Sequence, residues 1–389
     1  MRKFLWLLLV SYCPIALAAS SFTFDVARGP HPVGFRAVYQ SDDSRSYVRT
    51  TPGLPISRPI QTLIWYPATV SAKPMRYGEY AEFSVTQQDF KQTPEAIQAA
   101  FRELLKSLPL KGESLEFELA RRQWATRDAP ASAGKFPVVI YAPSVGGAAY
   151  ENTDLCELLA SYGYVVLASH SQGKDDNGMT MDRAGIDLQA GDIHFLMAYA
   201  QKIAAADTTR IAIVGYSWGG ISNAFAAVDK PNVRALVFLD GTIRYFAKFV
   251  DDAKLNRGAS FNMPMLYFSS AKVNFKNEPG KVEAGDKLLQ GLTSGKRYQL
   301  EMNRMNHGDF SSLTIRLTPP ESYTSATPQD VSASYGWMAR YTLQFLDATL
   351  KGDRNASTFM AQSPSANKVP AGLISDVVAV PAPLKPSDL

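Results

Sequence analysis

Cysteine and histidine are scarce in this chain: two of the first and four of the second in 389 residues. Two thiols, Cys13 and Cys156, cannot build a disulfide framework, and Cys13 lies in an amino-terminal stretch that reads as a leader. Cys156 sits in "ENTDLCELLASYG", on an amphipathic pattern with Leu155, Leu158 and Leu159. No neighbour there would activate a thiolate, so it reads as a buried structural thiol. Charge of one sign is also lacking. The formal net charge is +4, and Arg2 and Lys3 carry two of those charges. A near-neutral chain of this kind argues against a nucleic-acid binder, which usually shows a basic stripe. Beyond the first twenty residues no run is long and apolar enough to span a membrane.

What is present is ordinary globular material, 46% hydrophobic and 20% charged, enough to bury a large core. The first residues, "MRKFLWLLLVSYCPIALAAS", combine Arg2 and Lys3, an apolar run and Ala16-x-Ala18. This is the layout of a secretory signal peptide over residues 1–18, which predicts an exported, periplasmic or secreted protein. Tyr12 stands where a lipoprotein signal before Cys13 would need a small residue, and Pro14 argues against a retained anchor.

Residues 19–375 read as one domain. "SFTFDVA", "GFRAVYQ" and "TLIWYPAT" have strand character. An insertion of about 73–130 follows, placed where a cap could sit. It contains two helix-like segments, "TPEAIQAAFRELLKSLPL" and "LEFELARRQWATRD", the first opening on Thr93 and Pro94 as cap and first-turn proline. From Phe136 the pattern alternates between buried strands ("FPVVIYAP", "YVVLASH", "RIAIVGYS", "ALVFLDG", "MPMLYFSS", "YQLEMN") and helices, ending in "SYGWMARYTLQFLDATLKGD". Alternation of this kind predicts an α/β fold: a mostly parallel central sheet of about eight strands, covered by helices on both faces. The tail 376–389 reads as loosely held.

The chemistry-bearing stretch is "RIAIVGYSWGGISNAF". A bare G-x-S-x-G pattern is common by chance, but here Ser217 falls at the junction of a buried strand and a helix. Gly215 and Gly219 remove side chains where strand and helix must pass closely, so the turn can be sharp and the serine stand clear. The helix amino terminus favours negative charge at that point. A serine needs a base. In the strand–serine–helix arrangement the chain order is nucleophile, acid, histidine, and only His307 follows Ser217. His307 lies in a loop after a strand, "QLEMNRMNHGDFSS". Asp240, at the end of "ALVFLDG", is the candidate acid. Strand "MPMLYFSS" is followed by "AKVNFKNEPG", which has no aspartate and only Glu278, and Asp309 is near His307 in sequence but not thereby on its ring. His31 and His194 read as structural. Two backbone N–H groups should bind an oxyanion: Trp218, just after the nucleophile, and Val145 in the loop "PSVGGAAY".

These pieces resemble the α/β-hydrolase superfamily and, more narrowly, the dienelactone hydrolase-like and platelet-activating-factor acetylhydrolase-like serine esterases. The matching segments are "FPVVIYAPSVGG", "LLASYGYVVLASH", "IAIVGYSWGG", "ALVFLDG", "MNHGDFSS" and "FLDATLKGD", which together cover most of residues 136 to 352. In the acetylhydrolase branch the acid follows the strand right after the nucleophile's, as Asp240 does. The resemblance implies a Ser217–Asp240–His307 triad and hydrolysis of carboxylic esters with no metal and no cofactor. The chain departs from the family at Pro143-Ser144, where a His-Gly pair is usual. It departs again at His170-Ser171-Gln172, where a His-Arg-Asp-like run is common. Dienelactone hydrolases proper use a cysteine nucleophile, so their substrate is not implied.

For the substrate, a small-molecule or lipid-like ester, the expected pocket residues are Ser144, Gly146, His170 and Tyr216. Tyr216 and Trp218 flank the nucleophile and would favour an apolar or aromatic group. The insertion's Met75, Tyr77, Tyr80, Phe83, Phe90, Phe101 and Trp124 either pack it onto the body or line an acyl pocket. Two other activities fit the same residues: a serine peptidase or amidase, separated by its ester-to-amide rate ratio, and a non-catalytic binding protein.

Overall fold

Apolar side chains alternate between two layers along the central strands, as a period of two requires. Val138 and Ile140 join one buried cluster, while Val139 and Tyr141 join the other. In the computed structural model these runs form the middle of a sheet. The structure describes residues 22–49, 55–70, 72–246, 248–249, 263–270, 296–375 and 378–380. The leader 1–18 and Glu278 lie outside the described residues.

The strands are β1 (Val33–Tyr47), β2 (Ile56–Pro67), β3 (Ala125–Arg127), β4 (Phe136–Ala142), β5 (Val165–Ser169), β6 (Ala206–Tyr216), β7 (Val233–Leu239), β8 (Met265–Ser270), β9 (Arg297–Met302) and β10 (Val378–Val380). The sheet has 10 strands in the order β10-β9-β8-β7-β6-β4-β5-β2-β1-β3. From β5 through β4, β6, β7 and β8 to β9 all neighbours are parallel. The pairs β1–β2, β2–β5 and β9–β10 are antiparallel.

The strand count exceeds the expected eight because short segments close both edges. At one edge, Ala125–Arg127 pairs in parallel with β1. These residues lie inside "LEFELARRQWATRD", expected to be helical throughout; the helix instead stops at Ala120. At the other edge, Val378–Val380 pairs with β9. Those three residues fall in the stretch 376–389 expected to be a loose tail, of which 376–377 and 381–389 lie outside the described residues. "SFTFDVA" is not a strand. Its described part runs without a partner strand, and Phe22 and Phe24 pack edge-on against Tyr335.

Helices α4 (Thr153–Ser161) and Pro328–Leu346 cover one face, and α5 (Arg183–Ala200) and α6 (Gly219–Ala227) the other. No helix among the described residues is long and apolar enough to cross a membrane. The insertion comprises α1 (Tyr77–Ala81), α2 (Pro94–Ser107) and α3 (Gly112–Ala120), α2 being capped by the Thr93 hydroxyl on the Ala96 N–H. Its Met75, Tyr77, Tyr80 and Phe83 are buried in the main core. Polar ties reinforce that contact. The Tyr80 hydroxyl donates to Glu157 at 2.8 Å and accepts from the Trp65 indole at 2.9 Å. Arg316 bridges Glu118 of α3 to Asp154 of α4.

Candidate active site

Strand β6 runs into α6 through a turn that only small residues allow. A Cβ on Gly215 would strike the Gly219 carbonyl, and one on Gly219 would strike the Ala142 carbonyl at the end of β4. Between them Ser217 takes φ +51°, a left-handed conformation that a non-glycine residue adopts only when its surroundings impose it. The surroundings are explicit. The Ser217 N–H donates to the Leu239 carbonyl at 3.1 Å, and its carbonyl accepts from Gly220 and Thr242, each at 2.9 Å. Asp240, at the end of β7, is also left-handed, at φ +43°, and is tied to β8 by its N–H on the Phe268 carbonyl at 3.0 Å.

The structure brings Ser217, His307 and Asp240 into one hydrogen-bonded chain. With the ring proton on Nδ1, His307 donates to Asp240 Oδ2 at 2.7 Å, and its Nε2 accepts from Ser217 Oγ at 2.8 Å. The Asp240 carboxylate is 0% exposed, whereas the His307 side chain is 45% exposed. The carboxylate is therefore shielded from water while the imidazole stays open to solvent. Burial alone would raise the Asp240 carboxyl. The His307 hydrogen bond and charge, the Ser270 N–H at 3.0 Å and the Arg244 guanidinium at 3.5 Å outweigh it and hold the group below its ordinary value. Asp309 does not compete for the ring: its carboxylate accepts the Asn306 N–H at 2.7 Å.

The other expected site residues divide. The Tyr216 hydroxyl donates to the His307 carbonyl at 2.9 Å and its ring lies 5.4 Å from the imidazole, so it props the histidine. Trp218 does not flank a pocket. Its side chain is fully buried in the α5–α6 core, edge-on to Phe246. The helix that starts there rotates the indole under the sheet and leaves only its backbone on the serine's side. Val145 and Gly146 are exposed, and Gly146 makes the turn at φ +64°. Ser144 and His170 act on the loop itself. The Ser144 N–H donates to Glu151 at 2.9 Å and its hydroxyl to the same carboxylate. His170 Nδ1 meets the Gly147 carbonyl at 2.9 Å, and the Ser171 N–H reaches that carbonyl at 3.0 Å. Burial drives the His170 imidazole down to about 4, which keeps it neutral at ordinary pH.

Glu151 and Asn152 escape a reading of the sequence. An acid ahead of an apolar helix looks like an ordinary helix start, and nothing local says that its partner is the loop before it. Among the described residues no group of three His, Cys, Asp or Glu could hold a metal ion.

Comparison with known proteins agrees with this architecture. Residues 125–271 match the model of the dienelactone hydrolase family. A putative carboxymethylenebutenolidase of Methylorubrum extorquens is 29% identical over 122 residues, which is 28% of this chain and 42% of that relative. The chain thus spans less than half the length of that curated relative. A ferulic acid esterase from Streptomyces cinnamoneus superposes with a TM-score of 0.65 at 20% identity, over 91% of this chain and 98% of the other.

Proposed function

We propose that this dienelactone hydrolase-like α/β-hydrolase is an exported serine esterase that cleaves carboxylic esters through an acyl-enzyme. The observation that carries the reading is the chain Ser217 Oγ–His307 Nε2–Asp240 Oδ2, with links of 2.8 and 2.7 Å. A base hydrogen-bonded to a serine at a strand-to-helix turn, and oriented by a buried carboxylate, is the arrangement that makes a hydroxyl nucleophilic.

Ser217 attacks the ester carbonyl while His307 takes its proton. Asp240 holds the imidazole in the tautomer with Nδ1 protonated and stabilises the cation that forms. The Val145 and Trp218 N–H groups bind the oxyanion, aided by the amino end of α6. The Ser144 N–H is already engaged by Glu151, which leaves Val145 as the next donor along the loop. The alcohol departs with the proton from His307, and a water activated by His307 releases the acid. The leader supports export, and the mature chain would begin at Ala19.

The test is hydrolysis of p-nitrophenyl esters of graded acyl length by the mature protein and by Ser217→Ala. Activity in the parent that falls by at least a thousandfold in the variant supports the reading. Equal activity in both removes Ser217 from the mechanism. Turnover of anilides at rates close to the esters would shift the assignment to an amidase. No turnover together with no labelling of Ser217 by a fluorophosphonate would leave a binding protein on a hydrolase fold.

A further inference from the structure

One dipeptide touches both loops of the site. Glu151 is buried, and its carboxylate collects three donors: the Ser144 N–H at 2.9 Å, the Ser144 hydroxyl, and the Tyr141 phenol at 3.1 Å. A Cβ on Gly147 would fall within 2.8 Å of Glu151 Oε1 and 2.6 Å of Ser144 Oγ, so the chain leaves that space to the carboxylate. On the other side, the Glu151 carbonyl accepts the Ser311 hydroxyl at 3.0 Å and the Leu313 N–H at 3.1 Å. Asn152, also buried, donates to the Phe310 carbonyl at 2.9 Å and accepts the Ser312 N–H at 2.8 Å. Phe310 ends the turn His307–Phe310 that carries the imidazole, and residues 311–313 directly follow it.

We infer that Glu151 is a positioning residue for catalysis: its carboxylate fixes the 143–147 loop so that the Val145 N–H faces the substrate oxygen, while its main chain and Asn152 hold that loop in register with the histidine turn. This rests on the serine-esterase reading for its catalytic part, though not for its structural part. A carboxylate is suited to the task because it offers acceptors on both oxygens, and Ser144 presents two donors side by side. Burial works against the charge and pushes the carboxyl up to about 7, with the Ser144 and Tyr141 hydrogen bonds pulling it back. A buried acid on which three donors converge has a role beyond filling space.

The experiment compares Glu151→Met, Glu151→Gln and Ser144→Ala with the parent by ester kinetics and by amide hydrogen exchange. Methionine fills the space and accepts nothing. It should lower kcat by about 10- to 100-fold with KM changed less than about threefold, the signature of a misplaced oxyanion donor rather than a lost binding contact. Exchange over 144–147 should rise while β4 and β6 stay protected. Glutamine, whose amide oxygen can still take the Ser144 N–H, should recover most of the rate. Parent-like kcat and parent-like exchange in Glu151→Met would overturn the inference. Should that variant not fold, Ser144→Ala decides. A severalfold loss of kcat at constant KM supports the brace, and an unchanged kcat overturns it. If the parent proves inactive on esters, exchange alone speaks: a loosened 144–147 loop in Glu151→Met keeps the brace and removes only the esterase reading.

Discussion

Asp240 at the end of β7 and Glu151 just ahead of α4 are both buried, yet they are held in different states. Asp240 lies below its ordinary range because His307, the Ser270 N–H and Arg244 more than offset its burial. Glu151 meets mostly neutral donors, and burial prevails, taking it to about 7. The contrast repeats within α4, one turn apart. Asp154 faces the Arg316 guanidinium at 3.0 Å and is held low despite its burial. Glu157 faces the Tyr80 hydroxyl at 2.8 Å and the Trp124 N–H at 2.6 Å and sits at about 7. Neutral hydrogen bonds fix a carboxyl's direction, but a nearby positive charge is needed to balance the loss of water.

The largest effect should come from taking the charge out of the low-lying class at the site. Asp240→Asn keeps the shape but offers the ring an amide, so His307 is free to adopt the wrong tautomer. A loss of about 10⁴ in kcat is expected, with unchanged circular dichroism. Retention of a tenth of the activity would mean that another acid orients His307. Next comes Arg316→Met, which moves Asp154 from one class to the other. It strands Asp154 as a buried acid and leaves Glu118 with the partly exposed Arg121 alone, at 3.1 Å, at an expected cost of about 3–5 kcal/mol in urea unfolding. The sign with pH follows from Asp154. Its folded value is depressed in the parent, so Arg316 contributes stability above the unfolded value near 4, and that stability is lost as pH falls below it. The variant's deficit should therefore be greatest near neutral pH and shrink towards pH 4. A deficit independent of pH would show that the guanidinium's contacts with the Tyr77 and Phe22 rings, not its pairing with the acids, are what the arginine supplies.

That Ser217, Asp240 and His307 meet could be read from the chain because each rides on a regular feature. Two glycines frame the serine, a strand end delivers the aspartate, and only one histidine follows. The parallel centre of the sheet was legible for a similar reason, since its runs are apolar on both faces. What was not legible depends on contacts between distant segments. Glu151 and Asn152 reach residues 310 to 313, and the Arg316 ion pairs join the insertion to α4 and to the helix Ser312–Leu317. Trp218 shows the converse. Its place in the motif located its backbone but not its ring, because the direction of a side chain is set by the helix that begins beneath it. At 125–127 a helical pattern lost to a vacant sheet edge, since β1 offered unpaired backbone groups for parallel pairing.

The smallest predicted effect isolates the high-lying class. For Glu157 the folded value is about 7, whereas the unfolded chain would ionise near the ordinary glutamate value of about 4.3. Between these two pH values the unfolded state has released a proton that the folded state retains, so stability falls as pH rises through the interval and levels off above it. Glu151 adds in the same direction. His170, His194 and His31, whose imidazoles burial holds below the ordinary histidine value of about 6.5, oppose this in the lower part of the range, so the carboxyl's share is read as the difference between the parent and a variant. Glu157→Gln removes one of the two ionisations. It loses about 1 kcal/mol at pH 5, because its NH2, a donor, replaces one of the two oxygens that separately face the Tyr80 hydroxyl and the Trp124 N–H. Its stability should then decline less towards pH 8, so that the two curves converge. Urea unfolding of both proteins across that range measures this directly. Parallel curves would mean that Glu157 ionises alike in the folded and unfolded chains, and that neutral donors alone suffice to stabilise a buried carboxylate.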